Sequence, residues 1–391
     1  MKIRNIQATA LALAAVTLSV FLVSCGNDRS LFPVGGGGVV PKFLYVINDV
    51  DISGYTVNSS TGAVTPSPGS AFVTGETSCP DLAAASPSGK FLFVPDACSD
   101  TVLVYSIDQT TGALTAVAGS PFATGATGHL IEQPVVDPTG KFLYVPTTST
   151  DQIFGFTIAA NGSLTAITGS PFAAGGGESL TIVPSGKFLY EADSSSSNGT
   201  ILGFSINATS GALTPISGPP FNLSSQPKFI VASPTGNFLY LTAPDTANLL
   251  ILTYDPSTGA VTETTGSPFA SGSLNPEALD ISPTGKFLYV TNLGDPESTP
   301  AVAGSVLAFS INASTGALTA VPGSPYTAGT NPKRIAADPS GKFVYVTNED
   351  ASTNLGLSVF RIDSTTGTLS EIAGSPFTTG AGAEGVTITH Q

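Results

Sequence analysis

The sequence has no Trp, one Met, two His and three Cys among 391 residues, and only 10% of its residues are charged. So few His and Cys leave no ligand spacing for zinc, and neither an H-E-x-x-H pair nor a G-x-S-x-G elbow occurs; no metal and no cofactor are expected. Cations are scarce as well, with 13 Lys and Arg against 27 Asp and Glu, a formal charge of −14. Such a field repels phosphate backbones and anionic membrane surfaces, which argues against a nucleic-acid partner. Of nine Lys, six (Lys42, Lys90, Lys141, Lys187, Lys286, Lys342) sit at one recurring turn position and leave little for a phosphate clamp. What is abundant excludes disorder and coiled coils: 41% hydrophobic residues with 43 Gly and 30 Pro describe many short strands joined by turns.

Residues 1–24 carry two cations and an apolar run that ends in Leu22-Val23-Ser24, just before Cys25. They read as an export signal, too short for a retained span. With apolar and small residues ahead of a Cys the segment resembles a bacterial lipoprotein signal, so Cys25 is the expected lipidation site and its lipid the expected link to a membrane. The alternative is an ordinary signal cut nearby, with Cys25 a bystander. Loss of Lys2 and Arg4 takes the charge from −14 to −16. Residues 25–40, with Gly35 to Gly38 in a row, then form a flexible tether, and the protein belongs in the cell envelope, periplasmic or at the cell surface.

Cys79 and Cys98 flank the turn Ser86-Pro87-Ser88-Gly89-Lys90 almost symmetrically. If the flanking segments pair as a hairpin, the two residues face each other at disulfide range, and an exported chain permits the oxidation. Two free buried thiols are the alternative.

Self-similarity decides the architecture. A motif of the form (Gly/Pro)-(Lys/Asn)-Phe-(Leu/Val)-(Tyr/Phe) begins at 41, 89, 140, 186, 236, 285 and 341. A second, Gly-Ala-Leu-Thr leading to Gly-Ser-Pro-Phe, keeps step from 62, 112, 162, 211, 259, 316 and 367. Each period holds four short β-type segments between turn signals, which is one propeller blade. The first unit lacks its leading segment, and Ala383 to Gln391 resemble that missing piece. The expected fold is therefore all-β: a seven-bladed β-propeller over residues 41–391, closed by a C-terminal strand that completes the first blade and removes the exposed edges. A monomer is expected.

Four positions of the repeat are aromatic in every unit, and together they take 28 of the 32 Phe and Tyr residues. Those rings are assigned to packing between blades. Few remain to stack on a sugar, and Trp is absent.

Tyr-Val-Thr-Asn at 289–292 and 345–348, inside Pro-(Ser/Thr)-Gly-Lys-Phe units, resembles the YVTN-repeat propellers. The chain after the tether also resembles the lactonase family of seven-bladed propellers, often labelled 6-phosphogluconolactonase-like. That resemblance implies a lactonase-type hydrolase or isomerase acting on a lactone or sugar acid, with His, Arg and Glu side chains at the channel mouth.

The mouth can be located in the repeat. Six residues before the turn proline of each unit stand Asp81, Glu132, Glu178, Lys228, Glu277, Lys333 and Glu384, all charged, with His390 in the proline's place in the last. Arg334 and His129 lie beside this set. It reads as a ligand-binding ring at the mouth, or as a rim whose charge only keeps the channel wet. Close carboxylates would raise one another's pKa, unless Lys228 and Lys333 neutralise them. The remaining cationic candidates are Arg29, in the tether, and Arg361.

Weaker motifs carry less. Gly380 to Gly385 matches G-x-G-x-x-G without the strand and helix a dinucleotide needs. Asp49 to Gly54 resembles the start of a calcium loop, but Ser60 stands where the bidentate Glu belongs. Asp96, Asp100, Asp151, Asp193, Asp245, Asp295 and Asp350 fall where solvated turns belong, and the long loop Leu293 to Ser305 reads as a variable contact surface.

The sequence thus suggests an exported, membrane-tethered propeller that binds a small-molecule or protein ligand at its mouth. A lactonase-like enzyme is the alternative reading, and a pure spacer a third.

Overall fold

The computed structural model describes residues 42–75, 78–80, 82–125, 133–194, 199–218, 220–294, 303–349 and 354–389. Cys25, the expected signal and the tether lie outside them, as do Asp81, His129, Glu132, Asp295, Asp350, His390 and most of the loop from Leu293 to Ser305.

The turn between inner and second strands is closed by its own sequence. In Asp137-Pro138-Thr139-Gly140, the Asp137 carboxylate accepts hydrogen bonds from the backbone N–H groups of Thr139, Lys141 and Phe142 at 2.7–3.0 Å. Ser86 does the same with its hydroxyl for Lys90 and Phe91. With the turn fixed, the strands on either side pair in antiparallel register, Val135 with Tyr144 and Val136 with Leu143.

Seven antiparallel sheets result. Blade 1 orders its strands as 385–388, 42–47, 51–57 and 64–66 from one edge to the other, so the last strand of the chain completes the first sheet as expected. Blades 2 to 7 start with inner strands at 84–85, 135–136, 179–182, 230–232, 276–281 and 332–337. These inner strands touch one another in a closed cycle, with 385–388 between 332–337 and 84–85. They run in one direction: the Ser179 hydroxyl accepts from Ile230 N–H and the Thr181 hydroxyl from Ala232 N–H. All turns between inner and second strands therefore lie on one face of the ring, and the starts of the inner strands lie on the other.

The repeat holds more than four strands. In six blades the Gly-Ser-Pro-Phe motif doubles back as a two-residue strand on the third strand, as Phe122–Ala123 does on Thr101–Ile107. Its Ser explains the conservation of pattern between blades: Ser70, Ser120, Ser170, Ser267, Ser324 and Ser375 each accept a third-strand N–H.

The core lies in the seams between blades. Phe43, Tyr45 and Ile47 of blade 1 pack on Leu92, Val94 and Tyr105 of blade 2, and Leu44 and Val46 pack on Phe343, Tyr345 and Leu357 of blade 7, which seals the ring. The two motifs keep step because they meet across these seams. Gly112, at φ +74°, lies so close to Phe43 of the preceding blade that a Cβ would stand 2.3 Å from the ring. All seven equivalent glycines press on the preceding blade's Phe in this way. Among the described residues, every named strand and core cluster falls within 42–389, inside the compact unit Val40–Gln391.

Cys79 and Cys98 form the expected disulfide, with Cα atoms 5.3 Å apart. Asp96 holds its loop by accepting from both cysteine N–H groups. Two of the aspartates expected in solvated turns are thereby corrected: Asp96 and Asp193 end second strands and are buried, because each caps a loop with its carboxylate. Asp51–Val57 is a strand, so the calcium-loop resemblance has no loop behind it.

Candidate functional site

The described charged positions of the repeat fall at or just before the starts of the inner strands, on one face. Glu277 belongs to the inner strand of blade 6, Lys333 and Arg334 to that of blade 7; Glu178, Lys228 and Glu384 immediately precede or lead into those of blades 4, 5 and 1.

Four consecutive blades link these side chains by charge. Lys228 reaches forward to Glu277 with Nζ 2.8 Å from Oε1, and Arg334 reaches back to the same oxygen at 2.9 Å. Lys333 reaches forward to Glu384 at 2.9 Å and sideways to Glu349 at 3.2 Å. Neighbouring Lys333 and Arg334 serve opposite neighbours because successive side chains of a strand point to opposite faces of its sheet. Pairing with the second strand skips from Pro332 to Ile335, and in blade 6 from Pro276 to Leu279; such bulges re-aim side chains.

The second strands hold the bulges in place. Thr291 accepts from Ala278 N–H and donates to the Lys333 carbonyl of the next blade; Thr242 and Thr347 make the same pair of bonds toward Glu277 and Glu384. The Thr of Tyr-Val-Thr-Asn in blades 6 and 7, with Thr242 of Tyr-Leu-Thr-Ala in blade 5, is thus a stitch between blades 5, 6, 7 and 1, directly beneath the charged arc.

Burial alone would push the Glu277 carboxyl up, but the Arg334 and Lys228 charges outweigh it and hold it below the usual range. Of the two outcomes open from the sequence, neutralisation by interleaved cations is the one the structure has at Glu277. Burial likewise works to lower Lys333, and contacts with Glu384 and Glu349 reverse this and raise it. Arg334 is 5% exposed and lies over the Phe229 ring at 5.4 Å, which accounts for one ring left over by the repeat. Glu178 is half-buried and forms no ion pair among the described residues. Arg361 is elsewhere: it is exposed, stacks on Phe343 and bonds the Ser60 carbonyl near the opposite face.

A family model described as a lactonase, 7-bladed β-propeller, matches residues 133–224, 173–274 and 220–382. The chain belongs to this lactonase family. Among solved structures, a proposed 6-phosphogluconolactonase from Bacteroides fragilis is 21% identical, covering 91% of this chain and 99% of its own at a TM-score of 0.71. The periplasmic gluconolactonase of Pseudomonas aeruginosa is 20% identical, covering 89% and 99%, with a TM-score of 0.66. No curated protein matches the sequence.

This lactonase-family chain also carries a carboxylate that the repeat hides. Glu191 stands in blade 4 where blades 6 and 7 have Val290 and Val346, and it is fully buried. Its two oxygens accept from Gly175 and Gly177 N–H, each at 2.9 Å. Burial raises its pKa to about 7 against those two bonds, with Asp193 and Asp151 adding to the rise. The run Gly175-Gly176-Gly177 is what lets the loop lie so low: added Cβ atoms would meet Asp193, Asp151 and the Ala192 carbonyl. A lone Glu in a Phe-Leu-Tyr-Val position was the available signal in the sequence.

Proposed function

We propose that the chain is a sugar-lactone hydrolase of the cell envelope, tethered through Cys25 after export, with its reaction at the mouth between blades 5 and 1. The observation that carries this reading is the Lys228–Glu277–Arg334 cluster, set on a bulged strand of a lactonase-family propeller. Attack on a lactone carbonyl puts negative charge on its oxygen, and cationic donors already fixed in place stabilise that charge without reorganising at the moment of reaction. Lys228 keeps 31% of its side chain exposed, so it presents N–H donors to a ligand while Glu277 fixes its position. Glu384 and Glu178 supply carboxylates on the same face to take a proton from the attacking water and return it to the ring oxygen as its bond to the acyl carbon breaks, giving the hydroxy acid.

The same electrostatics select the substrate class. Lys228, Lys333 and Arg334 each lie within 3.2 Å of a carboxylate. A phosphate dianion would have to displace one of those carboxylates and pay for leaving it unpaired, whereas a neutral lactone needs only hydrogen bonds. The reading is therefore an unphosphorylated sugar lactone.

The test is the rate of δ-gluconolactone opening above its spontaneous rate, followed by proton release. Acceleration is expected, falling roughly 100-fold or more in folded Arg334→Met, with a weaker effect on the 6-phosphorylated lactone. No acceleration on any of a panel of sugar lactones overturns the reading. The full pairing of the mouth cations favours one second reading, a binding module; saturable calorimetric heat with gluconate, lost in Glu277→Gln and unaccompanied by turnover, would establish it.

A further inference from the structure

The six repeat lysines and the charged arc occupy opposite ends of the same strands. The inner strand of blade 7 runs from Lys333 and Arg334 to the turn Asp338-Pro339-Ser340-Gly341-Lys342. At ~3.3 Å per residue, those ends are roughly 20 Å apart. Turns of adjacent blades meet at three seams, where Gly140, Gly186 and Gly341 each approach the turn proline of the preceding blade (Pro87, Pro138 and Pro283). Beside those glycines stand Lys90, Lys141, Lys187, Lys286 and Lys342, all exposed. Lys42 begins the second strand of blade 1 on the same face and is used up in a buried pair with Asp338.

Acidic groups on this face are fewer and differently used. Asp137 is buried and spent on its own turn. The exposed acids, Asp108, Asp255 and Asp363, sit in the more peripheral turns between third and outer strands, where each accepts backbone N–H groups of its own turn. Arg361 adds a cation nearby. The opposite face holds Glu178, Glu277, Glu349, Glu384, Asp49 and Asp51. A chain of net charge −14 is therefore polarised by its fold, with its exposed lysines gathered around the axis on one side.

The chain leaves by that side. Lys42 is the first described residue, and 41 residues precede it in the sequence. Cys25, the expected lipidation site, lies 17 positions before Lys42 in the sequence, so this is the face at which a chain anchored there joins the propeller.

We propose that the lysine-bearing face is a docking surface for an anionic lipid bilayer and that the charged mouth faces away from it. On this proposal the local lysines outweigh the net charge, which taken alone leads one to expect repulsion from such surfaces. Each lysine brought to an anionic leaflet is worth roughly fivefold in partitioning, an effect that fades within a Debye length. The proposal uses the export reading only for the direction of the tether; the lysine ring stands without it.

The test mixes residues 26–391, which contain the whole propeller and no lipid, with vesicles of phosphatidylcholine alone or with added phosphatidylglycerol. At about 50 mM salt the protein should co-sediment at least ~10-fold better with the anionic vesicles, and at about 500 mM that preference should vanish. Replacing Lys90, Lys141, Lys187, Lys286 and Lys342 with Gln should abolish it while leaving the melting temperature unchanged, and each single replacement should weaken it roughly threefold to fivefold. Equal retention on neutral vesicles, retention that survives high salt, or full binding by the five-lysine variant would overturn the proposal. The mass of the mature protein from cells reports separately on Cys25, so a missing lipid and a missing lysine surface are distinguishable.

Discussion

Tyr190 of blade 4 donates a hydrogen bond from its hydroxyl to the carbonyl oxygen of Gly259 in blade 5, 2.7 Å away. Tyr45, Tyr144, Tyr240 and Tyr289 repeat this bond toward Gly112, Gly211, Gly316 and Gly367. Tyr345 occupies the same repeat position in blade 7, but its buried hydroxyl has no partner among the described residues. Tyr190→Phe should therefore cost about 1 kcal/mol by stranding the Gly259 carbonyl. Tyr345→Phe should be neutral or stabilising, because it removes a polar atom that folding desolvates for nothing. Denaturant melts should show a loss for Tyr190→Phe and none for Tyr345→Phe; equal losses would contradict this account of the seams.

The meeting of Gly112 with Phe43 makes a second pair of substitutions informative. Gly112→Ala puts a methyl group 2.3 Å from a ring and demands φ +74° of a residue with a Cβ, so a loss of about 2–4 kcal/mol is expected. Gly125→Ala faces a similar φ, +82°, with nothing within 4 Å, and should cost only the backbone part, about 1–2 kcal/mol. Thermal unfolding compares them directly. A similar loss in both would mean that the ring contact contributes nothing.

The two motifs, the closing strand and the Cys79–Cys98 pairing were legible because each depends on spacing along the chain, and the repeat fixes spacing. The pairing of charges was not. Lys228 and Arg334 meet at Glu277 from 49 and 57 residues away, and a single repeat position shows neither the bulges nor which neighbour a side chain faces. Glu349 escaped because it follows the Tyr-Val-Thr-Asn motif and not the proline-anchored register. Glu191 escaped for the opposite reason: it sits inside the motif, where six other units make it look like one more core position.

At the mouth, removing one partner of a buried pair should cost more than removing both. Arg334→Met leaves Glu277, 3% exposed, with Lys228 as its remaining described cation, and should destabilise by about 3–5 kcal/mol. The double variant Glu277→Gln with Arg334→Met should lose clearly less than the two single losses together. Because the folded Glu277 carboxyl lies below its unfolded value, its stabilisation is present above that unfolded value and is lost as pH falls through the folded one. Acid denaturation curves of Arg334→Met should accordingly lose part of their steepness at the acid end. Additive losses and an unchanged acid limb would show that the cluster is not coupled.

Glu191 has the reverse sign. Its folded pKa of about 7 lies above the unfolded 4.5, so between those values the native chain holds a proton that the unfolded chain has released. Stability should fall as pH rises across that window, by roughly 3 kcal/mol at most. Glu191→Gln removes the titration but sets an NH2 group against one of the two N–H groups of Gly175 and Gly177, which should cost about 1–3 kcal/mol near the acid end of the window. The deficit should then shrink toward alkaline pH, where the parent bears the cost of ionising a buried carboxyl beside Asp193 and Asp151. Denaturant unfolding from about pH 5 to about pH 8 checks this: converging curves support a buried, titrating Glu191, and parallel curves would mean that the two glycine N–H groups keep it ionised throughout.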